Sequence, residues 1–446
     1  MNMIPMLAEF AIPNGMFFFI MALGFGLYMA WNIGANDVAN AMGTSVGSGA
    51  LTIKQAVIIA AIMELAGAVL VGMHVTDTVR KGIFDPAAFE PTQLVLGFLA
   101  ALLAAAVWLQ VATYFGWPVS TTHSIVGAVV GVGVIIGGGD VISWTKVFEI
   151  VMSWVTSPLC GGIVAYLLFV LIQKKIIDQE HPLKQAYRVT PFLVFYVGFV
   201  LSMVMVFKGL KNLKLDLDLK GAMLVSGVVG IIFYGVAVAW LKNLRAKNDQ
   251  EYQALENAGT SSDSDAVDSE DRARRFEFEK VEGIFGFLMI LSACFLAFAH
   301  GANDVANAIG PVAAVVDIVQ TGEIATKSQV PIWILLLGGV GIVIGLATWG
   351  YKVIETIGKK ITELTPSRGF AANIGAATTI VLASRMGFPI STTHTLIGAV
   401  LGIGCARGIG SLNFKVIRDI FASWLITIPA GAGLAIAFYY LLDFAF

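Results

Sequence analysis

Two short motifs in this chain carry residues able to do chemistry, and each occurs twice. Gly34-Ala35-Asn36-Asp37-Val38-Ala39-Asn40-Ala41 returns unchanged as Gly301-Ala302-Asn303-Asp304-Val305-Ala306-Asn307-Ala308. On a helix Asn36 and Asn40 share a face, with Asp37 one position round. A carboxylate beside amide carbonyls makes a set of hard oxygen donors, suited to Na⁺ or a proton rather than to a soft transition metal. Asn36, Asp37, Asn303 and Asp304 are therefore read as cation ligands, with Asn40 and Asn307 one turn on turned to the substrate. The flanking Gly and Ala residues allow the helix to break here and free backbone carbonyls for the site. A plain helix cap would use the same Asn and Asp side chains; it is the exact duplication that favours ligands.

The second motif is Pro118-Val119-Ser120-Thr121-Thr122-His123, matched by Pro389-Ile390-Ser391-Thr392-Thr393-His394. Proline stops an incoming segment, serine caps a new helix, and the threonine pair fills its first turn. A helix start offers free N–H donors and partial positive charge, the combination that binds phosphate or sulfate. The hydroxyls of Ser120, Thr121, Thr122, Ser391, Thr392 and Thr393 add neutral donors at short range. Neutral donors suit a site that must also release its anion. An ordinary capped helix start is the alternative, outweighed by the duplication beside the first motif.

Weaker candidates surround these. His123 and His394 can donate to a substrate or a carbonyl, titrate, or simply pack. Glu64 stands inside an apolar segment, a proton or cation candidate by place alone, since its aligned partner is Ile342. Glu149 and Asp419 recur as a pair near segment starts, where acids favour the helix dipole. Gln110 reads as polar glue between helices, and Arg385 as a loop or interface anchor. Cys160, Cys294 and Cys405 are widely spaced in apolar runs and read as buried, inert thiols rather than a disulfide or metal framework.

The elements that position these residues belong to a membrane protein. Of 446 residues 57% are apolar and 13% charged, and mean hydropathy is +0.82; soluble domains carry about 25% charged residues. A net charge of −2 gives no support for a nucleic-acid partner. With a ruler of about 20 apolar residues per crossing, twelve segments stand out: 15–35, 54–76, 93–114, 121–138, 147–172, 190–208, 219–241, 284–302, 330–355, 370–386, 392–406 and 415–443. The fourth and eleventh are short and glycine-rich, open to a re-entrant reading. The first 53 residues hold no Lys or Arg, so the apolar run from Gly15 is read as a membrane segment and not as a cleaved signal.

Self-similarity extends beyond the motifs. Gly67, Gly72, Val75, Thr78, Lys81 and Ile83 align with Gly345, Gly350, Val353, Thr356, Lys359 and Ile361, and Ser153-Trp154 aligns with Ser423-Trp424. The chain divides into a first repeat (1–173), two connecting segments (174–241), a polar linker (242–282) and a second repeat (283–446). The linker contains Ser261, Ser262, Asp263, Ser264 and Asp265 and reads as flexible, with helical ends possible. Seven segments separate the copies, an odd number, so the repeats are expected to enter the membrane from opposite sides, as in many secondary carriers. Basic residues in the linker (Lys242, Arg245, Lys247, Arg272, Arg274, Arg275, Lys280) and in the loop holding Lys174 and Lys175 place those loops in the cytoplasm and both termini outside. Arg80, Lys81 and the stretch Lys208–Lys220 run against that assignment.

With both motifs doubled over essentially the whole chain outside the linker, the sequence resembles the inorganic phosphate transporter (PiT) family. The resemblance implies an all-α polytopic fold and symport of inorganic phosphate with Na⁺, or less favoured H⁺, with no other cofactor. It also implies a homodimer in the cell (inner or plasma) membrane and the same ligand positions as above, and no enzyme activity. Sulfate permeases share the fold family, so sulfate is the alternative cargo; an uncoupled anion channel and an intramembrane enzyme are the remaining rivals.

Overall fold

The structure is a computed structural model that describes residues 10–71, 89–206, 217–258, 266–324, 330–386 and 390–446. Among these residues there is no β-strand. Apolar side chains cannot satisfy backbone polar groups in lipid, and helices do so internally. In chain order the helices are α1 (Gly15–Asn36), α2 (Val38–Gly47), α3 (Ile53–Val71), α4 (Pro91–Tyr114), α5 (Thr121–Gly137), α6 (Trp144–Ile172), α7 (Pro182–Val204), α8 (Leu219–Ala258), α9 (Ala266–Thr321), α10 (Ile332–Trp349), α11 (Tyr351–Glu355), α12 (Pro366–Met386), α13 (Thr392–Arg407) and α14 (Phe414–Ala445).

Within the described residues, each of the twelve expected segments falls on helix. Nine helical stretches among the described residues are long and apolar enough to cross a membrane, making this a multi-pass membrane protein. The other three are α5 and α13, of 17 and 16 residues, and α12. The first two are shorter than the bilayer's hydrocarbon requires, and α12 carries Asn373, Thr378 and Thr379 in its middle.

Two expectations are corrected. The helix break expected at both first motifs is one residue wide at Asp37, between α1 and α2, and absent at Asp304, which lies inside the continuous α9. The ends of the linker are helical, as the sequence allowed: α8 runs on to Ala258 and α9 begins at Ala266, while 259–265 lie outside the described residues. Cys160 and Cys405 are exposed and Cys294 half-buried, not buried; the outer face of a membrane helix asks for the same apolar residues as a core. Gly72, Val75, Thr78, Arg80, Lys81, Ile83, Lys208 and the motif residues Gly387, Phe388 and Pro389 also lie outside the described residues, as does the Arg385 side chain.

The two copies pack reciprocally. Helix α1 lies against α10, and α9 against α3, through matching glycines: a Cβ at Gly34 would stand 1.8 Å from the Ile342 carbonyl oxygen, and one at Gly301 2.3 Å from that of Glu64. The short helices exchange partners in the same way. Gly127 of α5 would meet the Ile428 carbonyl of α14 at 2.6 Å, and Gly398 of α13 the Pro158 carbonyl of α6 at 2.1 Å. Only glycine permits such backbone contact between helices. The two helices bearing the first motif, α1 and α9, run in opposite directions: the Ala11 N–H donates to the Val319 carbonyl (2.9 Å), Gly26 faces Val312, and Asp37 reaches His300. The start of α9's membrane portion is tied to α12 by Glu282, which accepts from the Ser367 N–H (2.9 Å) and hydroxyl (2.7 Å).

Candidate functional site

All four motif copies meet at the middle of the bundle. Asp37 sits in the turn between α1 and α2, and its carboxylate accepts from Thr121 of its own repeat (2.6 Å) and from Thr393 of the other (2.5 Å). Asn40, one turn on, donates to both Asp37 and Thr393. The second copy mirrors this arrangement. Asp304 accepts from Asn303 (3.0 Å), Asn307 (3.2 Å) and Thr392 (3.2 Å), and Asn307 donates across the repeat boundary to Thr122 (3.3 Å). Thus each repeat's asparagine reaches the other repeat's second threonine. Asp37, Asn40, Thr121, Thr393, Asp304 and Asn307 are buried; Thr122, Thr392 and Asn303 are half-buried.

Why the hydroxyls converge follows from local structure. The segment 117–120 is not helical, because proline and the residue before it disfavour helix, and Ser120 is extended. Helix α5 then starts at Thr121 with Ser120 as cap, its hydroxyl accepting from the His123 N–H (3.3 Å); Ser391 does the same for His394 (3.2 Å). Each serine oxygen caps its own helix start and keeps its O–H to donate, and the threonines face the shared cluster. Asn36 holds the segment before the cap: its amide donates to Thr113 (2.9 Å) and to the Trp117 carbonyl (2.9 Å), and its oxygen accepts from the Val119 N–H (3.1 Å). The ring of His123 packs against Trp154 and His394, and that of His394 against Trp424. Gln110 ties α4 to α1 by accepting from Tyr28, as glue.

Sequence reasoning missed His300. Its Nε2 lies 2.9 Å from Asp304 and 3.6 Å from Asp37, and its Nδ1 lies 2.9 and 3.0 Å from the two oxygens of Glu64. A signal was present. His300 stands where the first copy has Ile33, as Glu64 stands where the second has Ile342, and these two departures from the repeat touch each other. Three carboxylates around one imidazole, all buried, leave this region acidic, and like charge at low dielectric is costly unless cations attend.

Asp37, His300 and Asp304 offer donor atoms within 4.8 Å of one another, a spacing fit for one ion. The Asn40 carbonyl oxygen is buried beside Asp37 with no hydrogen-bond partner among the described residues. An open hard oxygen next to carboxylates fits a hard cation such as Na⁺. Next to the cluster a cavity of about 20 Å³ is bordered by Asn40, His300, Asn303 and Thr392, room for about one water.

Comparison with known proteins gives the family. The model of the phosphate transporter family matches residues 33–435. The chain is 47% identical over 420 residues to inorganic phosphate transporter 2-1, chloroplastic, of Arabidopsis thaliana, covering 93% of this chain and 70% of that protein. A putative phosphate permease of Haemophilus influenzae is 47% identical over 421 residues, covering 94% and 95%. A solved structure described as the sodium-dependent phosphate transporter superposes with a TM-score of 0.83 at 39% identity, over 96% of this chain and 100% of that one. The match spans all four motif copies and the cluster they form: the chain belongs to the phosphate transporter family.

Proposed function

We propose that this chain is a secondary carrier that moves inorganic phosphate together with a cation, Na⁺ in preference to H⁺. The observation that carries the reading is the cross-repeat cluster, in which neutral donors from both repeats converge on two buried carboxylates. Phosphate would be held by Thr121, Thr122, Thr392, Thr393, Asn40 and Asn307, with Ser120 and Ser391 shaping the helix starts. Asp37 and Asp304 would hold the cations, with the Asn40 oxygen as a further donor and Asn303 beside Asp304; Asn36 acts by fixing the segment before Ser120. A bound cation offsets the carboxylate charge, so an anion is tolerated alongside only when cations are present. That dependence is symport.

Acidic neighbours also favour phosphate over sulfate. Hydrogen phosphate carries an O–H to donate to a carboxylate, and sulfate at neutral pH carries none. The Na⁺ preference draws on the open hard oxygen and on the name of the similar solved structure, a sodium-dependent transporter. The antiparallel course of α1 and α9 supports an inverted-topology pair of repeats, with domain limits as read from the sequence. The histidine rings lie against tryptophans and each other, which supports a carrier over a hydroxyl–imidazole enzyme. The cavity beside the cluster is small, and a parting of these helices would widen it for phosphate. A homodimer in the cell membrane, with the linker cytoplasmic and both termini outside, completes the proposal. Competition tests the cargo: in proteoliposomes, unlabelled phosphate and arsenate should each suppress labelled phosphate uptake while equal sulfate leaves it; uptake of labelled sulfate with none of labelled phosphate would make the chain a sulfate carrier.

A further inference from the structure

Four rings run behind the hydroxyl cluster, on the histidine that closes each second motif and the tryptophan that aligns between the repeats. His394 stacks on Trp424 with centroids 3.6 Å apart and planes 17° apart. His123 meets His394 edge-on at 4.7 Å, and Trp154 lies against His123 at 5.1 Å. The run crosses from one repeat to the other and joins α6, α5, α13 and α14. His123, His394 and Trp424 are buried.

Trp424 does more than pack. Its indole N–H donates to the Pro118 carbonyl (2.9 Å), in the other repeat. Pro118 belongs to the non-helical segment that aims Thr121 and Thr122, and this segment has no helical hydrogen bonds of its own to fix it. Asn36 takes the Trp117 carbonyl and the Val119 N–H on one side, and Trp424 takes the carbonyl between them. Two consecutive peptide groups are thereby fixed from two helices, α1 and α14, that belong to different repeats. Stacking on His394 leaves the indole little freedom to turn away.

We propose that Trp424 is a positioning residue for phosphate: its indole N–H, set by the His394 ring, orients the Pro118 peptide and so the direction in which Thr121 and Thr122 present their hydroxyls. This rests on the reading that those threonines bind phosphate. Losing the bond leaves a buried carbonyl unpaired and the peptide held on one side only, by Asn36. The effect falls on substrate affinity rather than on the helix movements that set maximal velocity.

The test is labelled phosphate uptake by proteoliposomes containing the full chain. Trp424→Phe keeps a flat ring for His394 and removes only the donor; it should raise KM for phosphate about tenfold and hold maximal velocity within about twofold of the parent. His394→Ala, which removes the stacking face, should raise KM in the same direction. Trp144→Phe removes an exposed indole donor to the Gly139 carbonyl (2.9 Å) and should leave KM unchanged. If Trp424→Phe keeps the parent KM, or loses velocity at unchanged KM, the positioning role is wrong. Should Trp424→Phe not be recovered folded, the KM of His394→Ala decides. Absence of phosphate uptake by the parent chain would instead overturn the proposed function itself.

Discussion

Glu64 and His300 are positions where one repeat carries a titratable side chain and the other an isoleucine, and they are a pair. Their counterparts, Ile342 and Ile33, are both buried and apolar. A buried ion pair is weak evidence for stability, but breaking one leaves an uncompensated charge. Glu64→Ile, which imports the counterpart side chain, should destabilise the protein by about 3 kcal/mol and lower its melting temperature in detergent. His300→Ile should cost less on the Glu64→Ile background than in the parent chain, a coupling a double-mutant cycle would measure; simple additivity of the two losses would show that the pair is not a unit. Both variants should lose transport, since His300 borders Asp37 and Asp304. The sequence exposes Glu64 as an oddity by position, and the same comparison of the copies would have exposed His300. What it could not tell is that Asn36 would be committed to Trp117 and Val119, because that use depends on where α4 ends.

At the scale of elements, the short helices α5 and α13 and their serine caps were readable from proline, serine and threonine in order. The linker was readable as a polar loop with helical ends possible. Its Ser/Asp-rich middle signals a loop, but the flanks are rich in Lys, Arg and Glu, good helix formers, and pairs such as Arg245–Asp249 and Lys247–Glu251 sit at helical spacing. Those flanks simply prolong α8 and α9. The break expected at Asp304 failed because small residues permit a break without requiring one; only Asp37 is given a turn, beside the point where Gly34 meets the Ile342 backbone. Gly34→Ala should therefore separate α1 from α10 and cost about 1–3 kcal/mol as overpacking does, seen as a lower melting temperature and weaker uptake. Gly24→Ala, on the same helix with nothing near it, should be neutral or slightly stabilising. Equal damage from both would contradict the account of the interface.

For the whole molecule, the duplicated sequence carried the architecture: matching motifs made similar half-sites, and the exchange of partners between repeats brought the halves together. Sequence alone does not say that α1 and α9 would lie side by side and antiparallel, since that depends on packing between distant segments. The proposed orientation has a direct consequence. A protease site placed within 259–265 should be cut in inside-out vesicles and spared in right-side-out ones, while a tag on either terminus behaves oppositely; cleavage from outside would reverse the assignment. The central claim is that phosphate and a cation cross together through a cluster built on Asp37 and Asp304. Its most direct test is labelled phosphate uptake into proteoliposomes at fixed pH, with and without an inward Na⁺ gradient, for the parent chain and for Asp37→Asn and Asp304→Asn. The account predicts accumulation driven by Na⁺ in the parent and a fall of at least about tenfold in each variant, as expected for hydrogen bonds lost at a charged acceptor. Uptake that ignores Na⁺ and follows a proton gradient would contradict the choice of cation, and coupled uptake surviving in both variants would contradict the site.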